Sequence, residues 1–155
     1  MEIRTGGLDE AQVQALLATH VAFGRAHTPA ENAHVLPADG LAAPSITFWS
    51  AWEDGALAGF VALKELAFGP DGGWGEVKSM RTAPAFLRRG VAKALLDEVI
   101  RTARARGYTR LSLETGTAAA FGAANRLYEA AGFADGPTFG GYPASPHNRF
   151  MTMVL

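Results

Sequence analysis

The chain reads as an α/β (α+β) protein with one mixed central sheet and helices on both faces. Three observations predict this: a run of aromatic and branched strands joined by a strong hairpin signal, an amphipathic helix directly after them, and strand–helix alternation from there on. Consecutive hairpin-linked strands pair antiparallel, whereas a helix between two strands lets them run parallel, so the sheet should be mixed. A length of 155 residues suits one core and one domain over 1–155.

Glu2 to Arg4 opens the chain as a short strand. Asp9 resembles a helix N-cap with Gln12 as its capping-box partner, and Val13, Leu16, Leu17 and Val21 recur at helical spacing, giving a helix from about Leu8 to Phe23. From Ala26 to Pro44 the periodicity stops and Pro29, Pro37, Gly40 and Pro44 punctuate a long excursion, a kind of segment that often carries function. Ile46–Trp52 and Leu57–Leu66 are strands, and Asp54-Gly55 between them is a hairpin turn. After the glycine-rich turn at Gly69–Gly73, Trp74–Thr82 adds a third strand to the meander, ended by Pro84.

From Arg89 to Arg106 the pattern becomes helical. Ala92, Leu95, Leu96, Val99 and Ala103 form one stripe, and Lys93, Asp97, Arg101 and Arg104 the opposite face, with Gly107 as the stop. Thr109–Thr115 is a short apolar strand, Ala118–Ala131 a helix and Phe150–Leu155 a final strand, with room for one more strand near Phe133.

Composition excludes several function classes. A net charge of −1 supplies no basic field for nucleic acid. With no cysteine there are no disulfides, thiolate metal sites or Cys nucleophile, and the cytoplasm is the default compartment. Met1–His20 contains Glu2, Asp9 and Glu10 and has neither a basic start nor a long apolar run, so it reads as neither a signal peptide nor a membrane span. His20, His27, His34 and His147 lack metal-ligand spacing, so no metal is assigned.

The segment most suited to chemistry is Arg88-Arg89-Gly90-Val91-Ala92, where a strand and short loop feed a helix N-terminus. Unpaired N–H groups and the positive end of the helix dipole accept phosphate there, Gly90 permits close approach, and the two arginines add charge. A glycine that merely starts a helix beside solvated arginines would look the same.

Context favours the first reading. Leu87-Arg88-Arg89-Gly90-Val91-Ala92 resembles the acetyl-CoA pyrophosphate loop of the GNAT acetyltransferase superfamily: Gln or Arg, two variable residues, Gly, one variable residue, then Gly or Ala. Only Leu87 departs from it. Ala124, Leu127-Tyr128 and Gly132-Phe133 resemble the family's second signature, with Phe121 where an Asn commonly opens it. The wording of Gly75–Arg81, Leu111–Gly116 and Phe150–Thr152 further resembles the small bacterial YsnE-like branch.

The resemblance implies a sheet splayed between its fourth and fifth strands, with acetyl-CoA as co-substrate, pantetheine in the gap and direct acetyl transfer to a primary amine. It implies backbone contacts at Met80, Arg81 and Thr82 that steady the thioester oxygen, Glu76 as general base by its offset before Gly90, and Tyr128 as the acid for the departing thiolate. Strand alternation puts Glu76, Lys78 and Met80 on one face; a solvated Glu76 pairing with Lys78 or Arg81 is the rival reading.

His34, Tyr142, His147 and Arg149 lie in the two proline-rich excursions that would rim an acceptor pocket, and Arg81 or Arg149 could fork onto a substrate carboxylate. A near-neutral chain favours a small metabolite amine over a protein tail, and the apolar Phe150–Leu155 strand offers a surface for a homodimer. Two other classes compete: a non-catalytic acyl-CoA-binding module, separated from the enzyme only by a working base, and a dinucleotide-binding protein, whose fingerprint lacks its first glycine here.

Overall fold

The computed structural model describes residues 1–155. Seven strands form one sheet in the order β1-β2-β3-β4-β5-β7-β6. They are β1 (Glu2–Thr5), β2 (Ile46–Glu53), β3 (Ala56–Gly69), β4 (Gly72–Thr82), β5 (Tyr108–Gly116), β6 (Ala134–Asp135) and β7 (Asn148–Val154). All neighbours are antiparallel except β4 and β5, which are joined through a helical crossover. The helices are α1 (Ala11–His27), α2 (Ala38–Leu41), α3 (Val91–Ala105) and α4 (Gly122–Ala131). No helix is long and apolar enough to cross a membrane.

The β2–β3 hairpin turns at Asp54-Gly55, both with positive φ (50° and 78°), the geometry of a type I′ turn. The start of α1 differs from the capping-box expectation. Its N-cap residue is Glu10, with no side-chain cap. Gln12 instead gives its amide to the Gly55 carbonyl (3.0 Å) and accepts from the Leu57 N–H (2.9 Å). It thus ties the helix to the hairpin, a tertiary contact that outcompetes the local one. The long excursion after α1 contains a 3₁₀ turn at Ala30–Asn32 and the short α2.

The core is two-sided. On one face α3 and α4 cover Val61, Leu63, Val77, Leu111, Leu113, Met151 and Met153; on the other, α1 covers Phe48, Phe60 and Ala62. Alternation therefore sends Glu76, Lys78, Ser112 and Glu114 to the α1 side. In β7, Phe150, Met151 and Met153 are buried in the internal core, while Val154 is exposed.

Candidate active site

The β4–β5 ladder runs from Gly73↔Tyr108 to Val77↔Leu113 and stops. Beyond it β4 continues to Thr82, while β5 stays with β7 as far as Gly116↔Asn148. The two strands therefore part into a wedge. On the other edge of β4 the register jumps from Ala62↔Lys78 to Phe60↔Arg81, a bulge centred on Ser79, whose φ is 53°. One extra residue reverses the alternation. Met80 consequently packs against the α3-side core that holds Val77, which corrects the expectation of Met80 beside Glu76 and Lys78. Arg81, opposite Phe60, takes the α1-side face in its place. Between Ser79 and Thr82 the β5-side edge of β4 has no partner strand, so its N–H groups face the wedge.

At the head of α3, Arg88 (φ 60°) and Gly90 (φ 81°) adopt left-handed conformations that turn the chain into the helix. The first helical bond is Ala94 N–H to the Gly90 carbonyl, at 3.0 Å. The N–H groups from Arg88 through Lys93 meet no acceptor in the chain. They form a row of donors at the positive end of a long helix, open at Gly90, where a Cβ would meet nothing within 4 Å. Arg89 is held by Glu53 at 2.6 Å, while Arg88 has no acidic partner, and Leu87 is exposed. This cradle fits an extended anion such as a pyrophosphate.

On the α1 side of the wedge lies a second, very different group. Glu76 and Lys78 are 2% and 8% exposed, Glu76 between Lys64 of β3 and Ser112 of β5 and Lys78 opposite Ala62. The Lys78 ammonium donates to Glu76 Oε2 (3.2 Å) and to the Tyr142 hydroxyl (2.7 Å), and that hydroxyl lies 3.3 Å from the same carboxylate oxygen. Glu76 Oε1 is buried and has no partner. Burial alone would lower the Lys78 ammonium, but the adjoining carboxylate and phenol outweigh it and its value rises. The Tyr142 phenol is itself raised, chiefly by burial. Glu76 and Lys78 do pair, as the rival reading held, but in the interior, where such a pair carries a large desolvation cost and needs its extra hydrogen bonds.

His34 stacks on Tyr142 with ring centroids 4.7 Å apart and 20° between planes. Its Nδ1 lies 2.7 and 2.8 Å from the two carboxylate oxygens of Glu114, whose value burial raises against the opposing pull of His34. The Asn148 side chain donates to the Asn32 carbonyl (3.0 Å), pinning the His34 loop to the start of β7. The two excursions thus meet over the α1-side face, His34 from the first and Tyr142 from the second, while His147 stays exposed.

Tyr128 and Ala124 are on the other side, in α4. Tyr128 is buried edge-on to Phe133 at 6.0 Å, and burial pushes its phenol up to about 12. Arg149 does not join either group. Its Nε is held by Asp135 (2.6 Å) and its Nη1 by Glu129 (2.8 Å), so acids of the chain already occupy part of the guanidinium proposed for a substrate carboxylate. Asn125 was the member hardest to foresee. Asn125 accepts from the Thr115 hydroxyl (2.8 Å) and donates to the Gly116 carbonyl (3.1 Å), fixing α4 to the end of β5.

A parallel strand pair that opens beside a bulge, with a free N–H row at the following helix, defines the class: an acyltransferase fold of the GNAT type. Residues 14–133 match the acetyltransferase (GNAT) family, and the chain belongs to it as an N-acetyltransferase. It is 46% identical over 155 residues to the N-acetyltransferase YsnE of Bacillus subtilis, covering 100% of both chains. It is also 46% identical to YedL of Escherichia coli, named likewise as an N-acetyltransferase, over 99% of this chain and 94% of that one. Among solved structures, an acetyltransferase from Streptococcus agalactiae superposes with a TM-score of 0.72 at 18% identity, covering 99% and 98% of the two chains.

Proposed function

We propose that this protein transfers the acetyl group of acetyl-CoA directly to the primary amine of a small metabolite. One observation carries the reading: a single wedge has unpartnered backbone N–H groups at its α3 end and a buried carboxylate cluster on its α1 side. Arg88 to Lys93 would hold the pyrophosphate, with Leu87 and Ala124 alongside, and the free edge of β4 at Met80, Arg81 and Thr82 would flank the pantetheine arm. The bound thioester supplies the activated acyl group. The chain's part is to orient the amine, worth effective molarities of about 10⁵ M or more in well-aligned systems, and to remove its proton.

Glu76 takes that proton in this reading. What supports it is Oε1, a buried carboxylate oxygen with no other partner. A second reading is favoured by register: Glu114 follows Leu113, the last partner of Val77, and so stands at the mouth of the wedge with His34 on it. Glu76 lies one rung deeper, opposite Ser112.

Tyr128 is the proposed acid for the departing thiolate. A phenol raised to about 12 is a weak acid, and a thiolate leaves readily without help. Tyr128→Phe should therefore slow turnover by only about tenfold, with a loss that does not shrink at high pH. The function itself is tested by acetyl-CoA-dependent thiol release over a panel of small amines. Binding of acetyl-CoA without thiol release from any amine would favour the non-catalytic module.

A further inference from the structure

We propose that the acceptor carries a carboxylate and that Arg81 binds it, so that the substrate class is amino-acid-like rather than a simple amine. The inference rests on the acyl-transfer reading above and adds to it the chemistry of the second substrate.

Beside the wedge, the charges of the α1-side face are matched in pairs: Glu76 holds Lys78, and Glu114 holds His34. Lys64 and Arg110 also lack an acid, but both stand along the closed part of the β4–β5 ladder, Lys64 opposite Glu76 and Arg110 over Trp74. At the opening itself, Arg81 is the cation without a partner. It projects from the stretch of β4 just past the bulge, on the same face as Lys78, and its guanidinium makes no hydrogen bond or ion pair within the chain. It is half-buried, and desolvation, with no compensating acid, lowers its value. His20 offers no compensation either. Burial, then the nearby Arg81 charge, drives it down to about 4, and its buried Nδ1 has no partner.

The Arg81 guanidinium lies over the Phe23 ring of α1, its central carbon 4.2 Å from the ring centroid. A guanidinium stacked on an aromatic face spends its flat side on the ring and keeps its in-plane N–H fork for a bidentate acceptor. Phe23 continues into a wall. Phe121 meets it edge-on at 5.4 Å, and the Phe121 ring rests on Gly116, where a side chain would overlap it. The wall therefore runs from α1 to the end of β5, across the opening. An unpaired, partly desolvated cation next to apolar rings and a few residues along the strand from the proton-accepting cluster suits a small molecule bearing both an amine and a carboxylate.

The phosphates of acetyl-CoA are the other anions within reach of this protein, and the experiment separates the two sources. With the protein saturated by CoA, dissociation constants are measured for N-acetyl-glycine, N-acetyl-leucine and N-acetyl-phenylalanine, each against its own carboxamide. These product-like probes differ within each pair only at the carboxylate. The expected result is that at least one acid binds about tenfold or more tightly than its amide, as a charge-assisted bidentate contact should provide. Only the main chain of Arg81 is assigned to the pantetheine arm, and Arg81→Met keeps that main chain, so it should erase the preference for the acid while leaving the acetyl-CoA thermal shift of the parent intact. The proposal is overturned if no acid is preferred over its amide, if Arg81→Met keeps the preference, or if Arg81→Met loses the acetyl-CoA shift, which would assign Arg81 to the donor. A parent protein with no acetyl-CoA shift at all would instead sink the acyl-donor reading.

Discussion

Replacing Gly90 with Asp is expected to abolish the rise in melting temperature that acetyl-CoA confers on the parent. A ligand at 100 times its dissociation constant stabilises the native state by about 2.7 kcal/mol, which is easily read in a thermal scan. The substitution puts a negative charge at the open point of the N–H row, where the proposed pyrophosphate site lies. Gly90 also has a φ of 81°, which strains most side chains, so loss of binding must be told apart from loss of fold. Gly90→Asn is the matched control: Asn tolerates left-handed backbone and has nearly the shape of Asp without its charge. With no neighbour within 4 Å of the added Cβ, both variants should fold. The Asn variant should keep a reduced shift and the Asp variant none. If Gly90→Asp binds acetyl-CoA like the parent, the phosphate cradle has been misplaced.

Glu76→Gln is expected to leave acetyl-CoA binding near normal while lowering turnover of a responsive amine by roughly 10² to 10⁴. The loss should shrink as pH rises, because more of the amine is then already neutral. An unchanged rate in this variant together with a collapsed rate in Glu114→Gln would move the proton acceptor to the pair at the mouth of the wedge. The same substitution should lower stability by about 3–5 kcal/mol, because it strands a buried ammonium.

Its pH dependence has a definite sign. In the parent the folded Lys78 value is raised, so its contribution is complete below the unfolded value and fades only as pH climbs through the higher folded one. Without the carboxylate, burial is the largest influence left on Lys78 and is opposed only by the Tyr142 phenol, so the folded value is expected to fall below the unfolded one. Stability of the variant should then increase with pH between those two values, in alkaline solution, where the parent still keeps its full Lys78 contribution. Chemical denaturation across that range reads both effects.

The parts legible in the sequence were those encoded over a few neighbouring residues. Asp54-Gly55 specifies its turn by backbone preference alone, and Gly90 announces a helix start wherever it stands before an amphipathic stripe. Failures came where a distant group competed. Gln12 abandoned a local cap for the β2–β3 turn, and Arg149 was claimed by Asp135 and Glu129. Met80 was misassigned because period-two alternation assumes an unbroken ladder, and nothing near Ser79 signals the extra residue that breaks it. The meeting of His34 with Tyr142 depends on two loops far apart in the chain, so only their shared proline-rich character was visible beforehand.

The donor cradle is made of main-chain amides, and most amino-acid replacements leave a main-chain amide in place. The α1-side face, by contrast, is built almost wholly from side chains, two of them on loops with little regular structure to preserve. Descendants of such a scaffold can exchange His34, Tyr142 or Arg81 one at a time and try a new amine partner without forfeiting the acyl donor. On the proposed function, the split between a recognition surface written in backbone and one written in side chains would make the molecule conservative toward one substrate and open to drift toward the other.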